Sequence, residues 1–244
     1  MNQITDAIKH IIIINVIVFI APQLLKSDFT NILALHFPKN EHFGFWQYVT
    51  HMFMHGGFTH LLFNMYGLWA FGTPLEQLWG KNKFIFFYFS AGIGAGLIYT
   101  LVNYYQFNAI YGLFINAGLT NDEVISILKE GSTNDYRVTN AITQPHFEKI
   151  FSLYNAPAVG ASGAVYGVLV AFGMYFKDAK LALLFFPVPI AAKYFIPILI
   201  GFDLFFGVTK YSLGNIAHFA HIGGALIGFL LAFYWKKNHF KTYQ

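Results

Sequence analysis

One serine and a handful of histidines stand where an apolar chain has little structural use for them. Ser162 lies in Gly160-Ala161-Ser162-Gly163, at the mouth of an apolar run that continues to Phe176. A hydroxyl at the start of a helix can act as a nucleophile, because the free amides there favour a developing negative charge. The same residues can also form a Ser/Gly packing face, since glycine lets another helix approach closely. A serine nucleophile needs a base, and histidine, with a pKa of about 6.5, is the natural one. His221 stands in Ala220-His221-Ile222-Gly223-Gly224, and His218 lies three residues earlier, nearer the aqueous end of the same run. Either can be the base, and either can be a helix-helix hydrogen bond. His60 and Asn64 are one helical turn apart and share a face. Both can donate to an oxyanion alongside the Ser162 backbone N–H. Tyr166, one turn below Ser162, can stack on an imidazole.

These groups need elements to hold them at one level, and the composition says what kind. Of 244 residues, 56% are hydrophobic and only 11% charged. A soluble domain carries about 25% charged residues, so the chain reads as an all-α polytopic membrane protein. The net charge of +4 comes from scattered residues, which suits membrane-flanking loops and not nucleic acid. With no cysteine, disulfides, thiolate catalysis and Cys-ligated metals are excluded. The first apolar run lacks a small-residue cleavage site, so it is expected to remain as a helix and not to be removed as a signal peptide.

Six apolar segments follow in order. Segment 1 covers His10 to Leu25, with Pro22 fraying its end and Asn15 as an interhelical hydrogen bond. Lys26 to Gln47 is an aromatic-rich interfacial loop. Segment 2 runs from Phe58 to Trp79 behind His51 and His55, and Glu76 near its far end is expected to accept from the next loop. Segment 3 covers Phe84 to Tyr104 and closes in a tyrosine belt. The chain is a single domain over residues 1–244 with an elaborated loop outside the bilayer at about 105–158. Within that loop Thr120 and Glu123 form a capping box, Gly131 ends the helix they start, and a second short helix covers Gln144 to Leu153. The loop is expected to be too small to bury a core of its own. Segment 4 is Ser162 to Phe176. Phe185 to Pro189 skirts the interface, segment 5 ends near Phe206, and segment 6 is Ile216 to Trp235. Asp203 in segment 5 is an intramembrane charge, either functional or an anchor for a neighbour.

An even number of crossings puts both termini on one side. Lys9, Lys81, Lys83, Lys177, Lys180, Lys193, Lys236, Lys237 and Lys241 gather there, which makes that side cytoplasmic. The opposite side has Lys26, Lys39, Lys210 and three basic residues in the long loop, where charge steers topology less. Segments 2, 4 and 6 then all begin on the far side, so His60 and Asn64, Ser162 and Tyr166, and His218 and His221 share one depth.

On these motifs the chain resembles the rhomboid family of intramembrane serine proteases. Gly160-Ala161-Ser162-Gly163 is similar to the family's GxSG, Ala220-His221-Ile222-Gly223-Gly224 to its AHxxG, and His60-Leu61-Leu62-Phe63-Asn64 to its HxxxN. The stretch Trp46 to Gly57 is also similar, although many members have Trp-Arg where this chain has Trp46-Gln47. The resemblance implies a six-transmembrane-helix bundle and a Ser162-His221 dyad without an aspartate. It implies His60, Asn64 and the Ser162 N–H at the oxyanion, with Tyr166 packed under the histidine and Gly160 and Gly163 supporting the serine. It further implies an endopeptidase acting on transmembrane protein substrates in contact with membrane lipid, with no cofactor, no metal and no nucleic acid. The setting would be a bacterial inner membrane, with the active site opening to the extracytoplasmic side. Two rival readings differ in class. In one, His51, His55, His60, His218 and His221 serve a metal site, against which stand the absence of HExxH and of any carboxylate at ligand spacing. In the other, the same frame is a non-catalytic binding module that tolerates loss of Ser162.

Overall fold

The computed structural model describes residues 3–183, 186–209 and 217–239. Segment 1 becomes α1 (Asp6–Leu25), whose start is held from outside. The Glu76 carboxylate accepts from the Ala7 N–H at 2.8 Å, from the Ile8 N–H at 3.1 Å and from the Thr5 hydroxyl. Those first-turn amides have no partner within the helix, and an anion there suits the helix dipole. Glu76 therefore serves the N-terminus of α1, not the loop that follows it in sequence. Glu76→Ala would leave buried donors unpaired and is expected to cost about 2–3 kcal/mol. Glu76→Gln should cost less. Melting temperature in detergent is the measure, and a value unchanged in the alanine variant would remove Glu76 as the anchor. Pro22 lies inside α1 without ending it; closure comes at Lys26, in the left-handed region at φ 49°.

The first loop contains α2 (Thr30–Leu33) and α3 (Gln47–Thr50). Gln47 is fully buried and organises it. Its Oε1 accepts from the His36 N–H at 3.1 Å, and its Nε2 donates to the His42 carbonyl at 2.7 Å. Segment 2 is helical throughout, as α4 (Phe58–Gly67), a π turn over Leu68–Gly72, and α5 (Thr73–Trp79).

Segment 3 is longer than its tyrosine belt suggests. It forms α6 (Lys81–Asn116), 36 residues, because neither glycine nor proline occurs between Tyr104 and Gly112 to stop it. At 1.5 Å per residue it rises roughly 54 Å, well beyond an apolar layer of about 30 Å. The free end carries the insert. There α7 (Asn121–Glu130) opens on the Thr120–Glu123 capping box and closes on Gly131 at φ 77°. A helix the sequence did not suggest, α8 (Tyr136–Ala141), precedes α9 (Gln144–Asn155). Arg137 explains α8, since its guanidinium binds Asp135 at 2.6 Å, Glu123 at 2.8 Å and the Gly118 carbonyl at 2.9 Å. The same guanidinium, with the Thr120 cap, holds Glu123 down to about 2. The insert buries a core only together with other elements: Val124, Leu128, Val138 and Ile150 pack with Phe107 and Phe114 of α6 and with Phe37. The extended α6 supplies the wall that the insert's own residues lack. Lys129 to Glu41 at 2.6 Å and Asn40 Nδ2 to the Tyr154 carbonyl at 2.9 Å tie the insert to the first loop.

Segment 4 is α10 (Ser162–Tyr175). Around the stretch read as skirting the interface, β1 (Lys180–Leu183) and β2 (Phe186–Ala191) form an antiparallel pair, with Lys180 opposite Ala191. Then come α11 (Ala192–Val208) and α12 (His218–His239). Phe185, Ile216, Lys210 and Lys241, used in the sequence reading, lie outside the described residues. Among the described residues α1, α6 and α12 are each long and apolar enough to cross a membrane. Length and apolarity thus carry three crossings and not six: α10 and α11 have only 14 and 17 residues, and the π turn divides segment 2. Outward faces remain apolar, as Ile17 at 59% exposure and Phe202 at 58% illustrate, which suits contact with lipid.

α10 lies at the centre, with Ala164, Val168 and Ala171 buried. Its partner α12 touches it backbone to backbone. A β carbon on Gly224 would lie 1.8 Å from the Gly163 carbonyl oxygen, and one on Gly228 would lie 2.5 Å from Gly167 Cα. This contact sets how far Ser162 can be from His221.

Candidate active site

Ser162 is the first residue of α10, after Ala161 as N-cap. The approach to it is fixed from two directions. Leu35 and Ala158 exchange backbone hydrogen bonds at 2.9 Å each, and the Gly160 N–H donates to the His51 carbonyl at 2.9 Å. Gly160 has φ 123°, a region that favours glycine, and a β carbon there would lie 2.8 Å from the His60 ring. That β carbon would also lie 3.7 Å from Ser162 Oγ, so the His60 imidazole and the serine hydroxyl border one small space. The chain therefore turns into α10 with its hydroxyl beside a histidine ring and its first amides free of helical partners.

The two histidine candidates separate at this point. His221 Nε2 lies 2.9 Å from Ser162 Oγ. His218 contacts Asp203 instead, through Nδ1 at 2.6 Å, and its Nε2 is buried with no partner among the described residues. Tyr166 stacks on His221 with ring centroids 4.2 Å apart and planes 10° from parallel. Asn64 is buried, and its amide donates to the His60 carbonyl at 2.9 Å, back along its own helix. That bond uses one N–H of the amide and leaves the second. His51 and His55, in the loop ahead of α4, are both pushed down to about 4 by burial and are neutral at pH 7.

Asp203 is where the structure adds most to the sequence. It is buried on α11, and His221 Nδ1 lies 3.0 Å from its Oδ1. The same oxygen meets His218 Nδ1, and the Tyr166 hydroxyl donates to Oδ2. A dyad with no aspartate nearby does not describe this arrangement. The sequence marks Asp203 only as a charge in an apolar segment, with no local spacing to link it to residues on α12 and α10. Nor does the absence of a carboxylate at ligand spacing survive folding. Ligand atoms of Asp203, His218 and His221 all lie within 4.8 Å of one another, so these three have the types and proximity to hold a metal ion.

Comparison with known proteins agrees with the motifs. The family model described as the rhomboid domain matches residues 42–120 and 136–238. The chain is 27% identical over 185 residues to Rhomboid protein 1, mitochondrial, of Saccharomyces cerevisiae, covering 76% of this chain and 40% of that one. It is 26% identical over 193 residues to Rhomboid protease AarA of Providencia stuartii, covering 77% and 54%. With Rhomboid protease GluP of Bacillus subtilis the identity is 27% over 187 residues, covering 77% and 25%. The chain thus spans between a quarter and about half the length of these relatives.

Proposed function

The chain belongs to the rhomboid family, and from that premise we propose that it is an intramembrane serine endopeptidase that cleaves transmembrane segments of membrane proteins. The observation that carries the reading is the 2.9 Å contact between Ser162 Oγ and His221 Nε2 at the start of a buried helix. In the proposed reaction Ser162 Oγ attacks the scissile carbonyl carbon while His221 Nε2 takes its proton. The Ser162 N–H, the His60 ring and the second Asn64 N–H hold the oxyanion. His221 then gives the proton to the leaving amine, and water, activated by the same imidazole, releases the acyl group. Tyr166 fixes the plane of the imidazole. A helical substrate must unwind locally, because its amides are shielded by their own hydrogen bonds.

The frame proposed for this chemistry is one membrane domain of six crossings in a cell membrane, with cytoplasmic termini and an extracytoplasmic site. Its substrates are membrane proteins met within the lipid. Reconstitution in proteoliposomes with a single-span substrate tests the activity. Cleavage near the outer end of the span and labelling of Ser162 by a fluorophosphonate are expected, and absence of both rejects the reading. Protease digestion of intact cells tests the topology. Tags at residues 1 and 244 should be protected and a tag after Gly131 cut; opposite fates for the two termini would rule out an even number of crossings.

A further inference from the structure

We infer that Asp203 is a positioning residue for the proposed reaction: it holds His221 in the tautomer and orientation a general base needs, within a buried cluster of Tyr166, His218 and His221. The inference rests on the serine endopeptidase reading and deepens it.

The position of one proton decides which imidazole nitrogen can face the serine. A neutral imidazole carries one proton, and the ring nitrogen that donates leaves the other bare. An ionised carboxylate only accepts, so Asp203 Oδ1 at 3.0 Å places the proton on Nδ1 of His221. Nε2 is then left bare, 2.9 Å from Ser162 Oγ, as proton abstraction requires. When the serine proton reaches Nε2 the ring becomes an imidazolium. A fixed anion on its far side stabilises that cation, while the carboxylate itself stays ionised.

The remaining contacts suit this role better than helix anchoring alone. A buried carboxylate is costly unless it is hydrogen-bonded, and Asp203 has three donors from two other helices. His218 Nδ1 meets Oδ1 at 2.6 Å, and the Tyr166 hydroxyl meets Oδ2. Tyr166 thus touches both partners, stacking on the imidazole at 4.2 Å and donating to the carboxylate that orients it. Asp203 comes from α11, the histidines from α12 and the tyrosine from α10, so the cluster joins three helices at the depth of the serine. Among the described residues the charged and titratable groups facing His221 are Asp203, His218 and Tyr166, with His60 of α4 beyond the serine.

Asp203→Asn, which keeps the shape and removes the charge, is the test, measured on the full chain in detergent beside wild type. An amide can donate to Nδ1 and put the proton on Nε2, the wrong tautomer. The expected result is a fall in kcat of about 10²- to 10⁴-fold, the upper end being what that exchange costs a serine protease. KM should change little, and the melting temperature should stay near wild type. The acid limb of the kcat/KM profile should move to lower pH, because without the anion the imidazolium is less stable. Wild-type kcat and pH profile in a folded variant would overturn the inference while leaving the protease reading intact. Failure of wild type itself to cleave or label would instead sink that reading, and this inference with it. Should Asp203→Asn not fold, ¹⁵N spectra of imidazole-labelled wild type still decide: a protonated Nδ1 and bare Nε2 on neutral His221 support the role, and the reverse overturns it. Activity lost on chelation and restored by zinc would also overturn it, making Asp203, His218 and His221 metal ligands.

Discussion

Ser162→Ala is expected to abolish cleavage of a single-span substrate, with a loss of about 10⁵-fold or more, and to leave the fold intact. Removing the nucleophile of a serine protease costs on the order of 10⁶ in kcat. The packing lost is small, since only one hydroxyl and its hydrogen bond to His221 disappear, worth about 1 kcal/mol. His221→Ala should be similarly inactive, because Nε2 is the atom against the hydroxyl. His218→Ala should keep measurable activity. Its imidazole meets the carboxylate of Asp203 and not the serine, so its loss weakens the orientation of the base without removing it. Product formation and fluorophosphonate labelling on matched folded preparations are the measurements. Turnover by Ser162→Ala at the wild-type rate would leave the non-catalytic binding module as the better account. An inactive His218→Ala beside an active His221→Ala would reverse the assignment of the base.

Gly224→Val should also cost activity, by a different route. The first added carbon would lie 1.8 Å from the carbonyl oxygen of Gly163, a backbone atom that no rotamer can clear. α12 must therefore move away from α10, and His221 sits three residues before the point of contact. A displacement of about 1 Å in reacting groups costs on the order of a hundredfold in rate. Overpacking itself costs about 1–3 kcal/mol. The variant should thus lose at least a hundredfold in kcat and melt several degrees lower. Gly112→Ala is the control, since nothing lies within 4 Å of the added carbon and alanine favours a helix. It should keep full activity and stability. A fully active Gly224→Val would mean that the two helices are not held in register by this contact.

Charge distribution and apolar runs mark several helix boundaries, because crossing a membrane requires long stretches with few charged residues. Ser162 begins α10, and Phe58 and Trp79 bound a helical run with a π turn inside it. Both follow from where glycine and polar residues interrupt apolar sequence. The capping box at Thr120 was readable for a similar reason, since its two partners are three residues apart. Local patterns failed where the determining contact was distant. The tyrosine belt suggested an end to segment 3, yet nothing in its backbone chemistry required one, and α6 ran on to support the core of the insert. Glu76 gave no sign that its partners were the first amides of α1.

By itself, then, the amino-acid sequence determined an apolar helical chain, its breaks, and a set of serine, histidine, asparagine and tyrosine residues placed near helix ends. Spacing along one chain specifies such features because they arise from neighbours within a turn or two. Only the tertiary structure decided which histidine meets the serine, that Tyr166 lies flat on that ring, and that Asp203 closes the cluster from α11. Those contacts join residues 18 to 59 positions apart. They depend on how closely three helices pack, which is set by glycines that let α10 and α12 touch through their backbones.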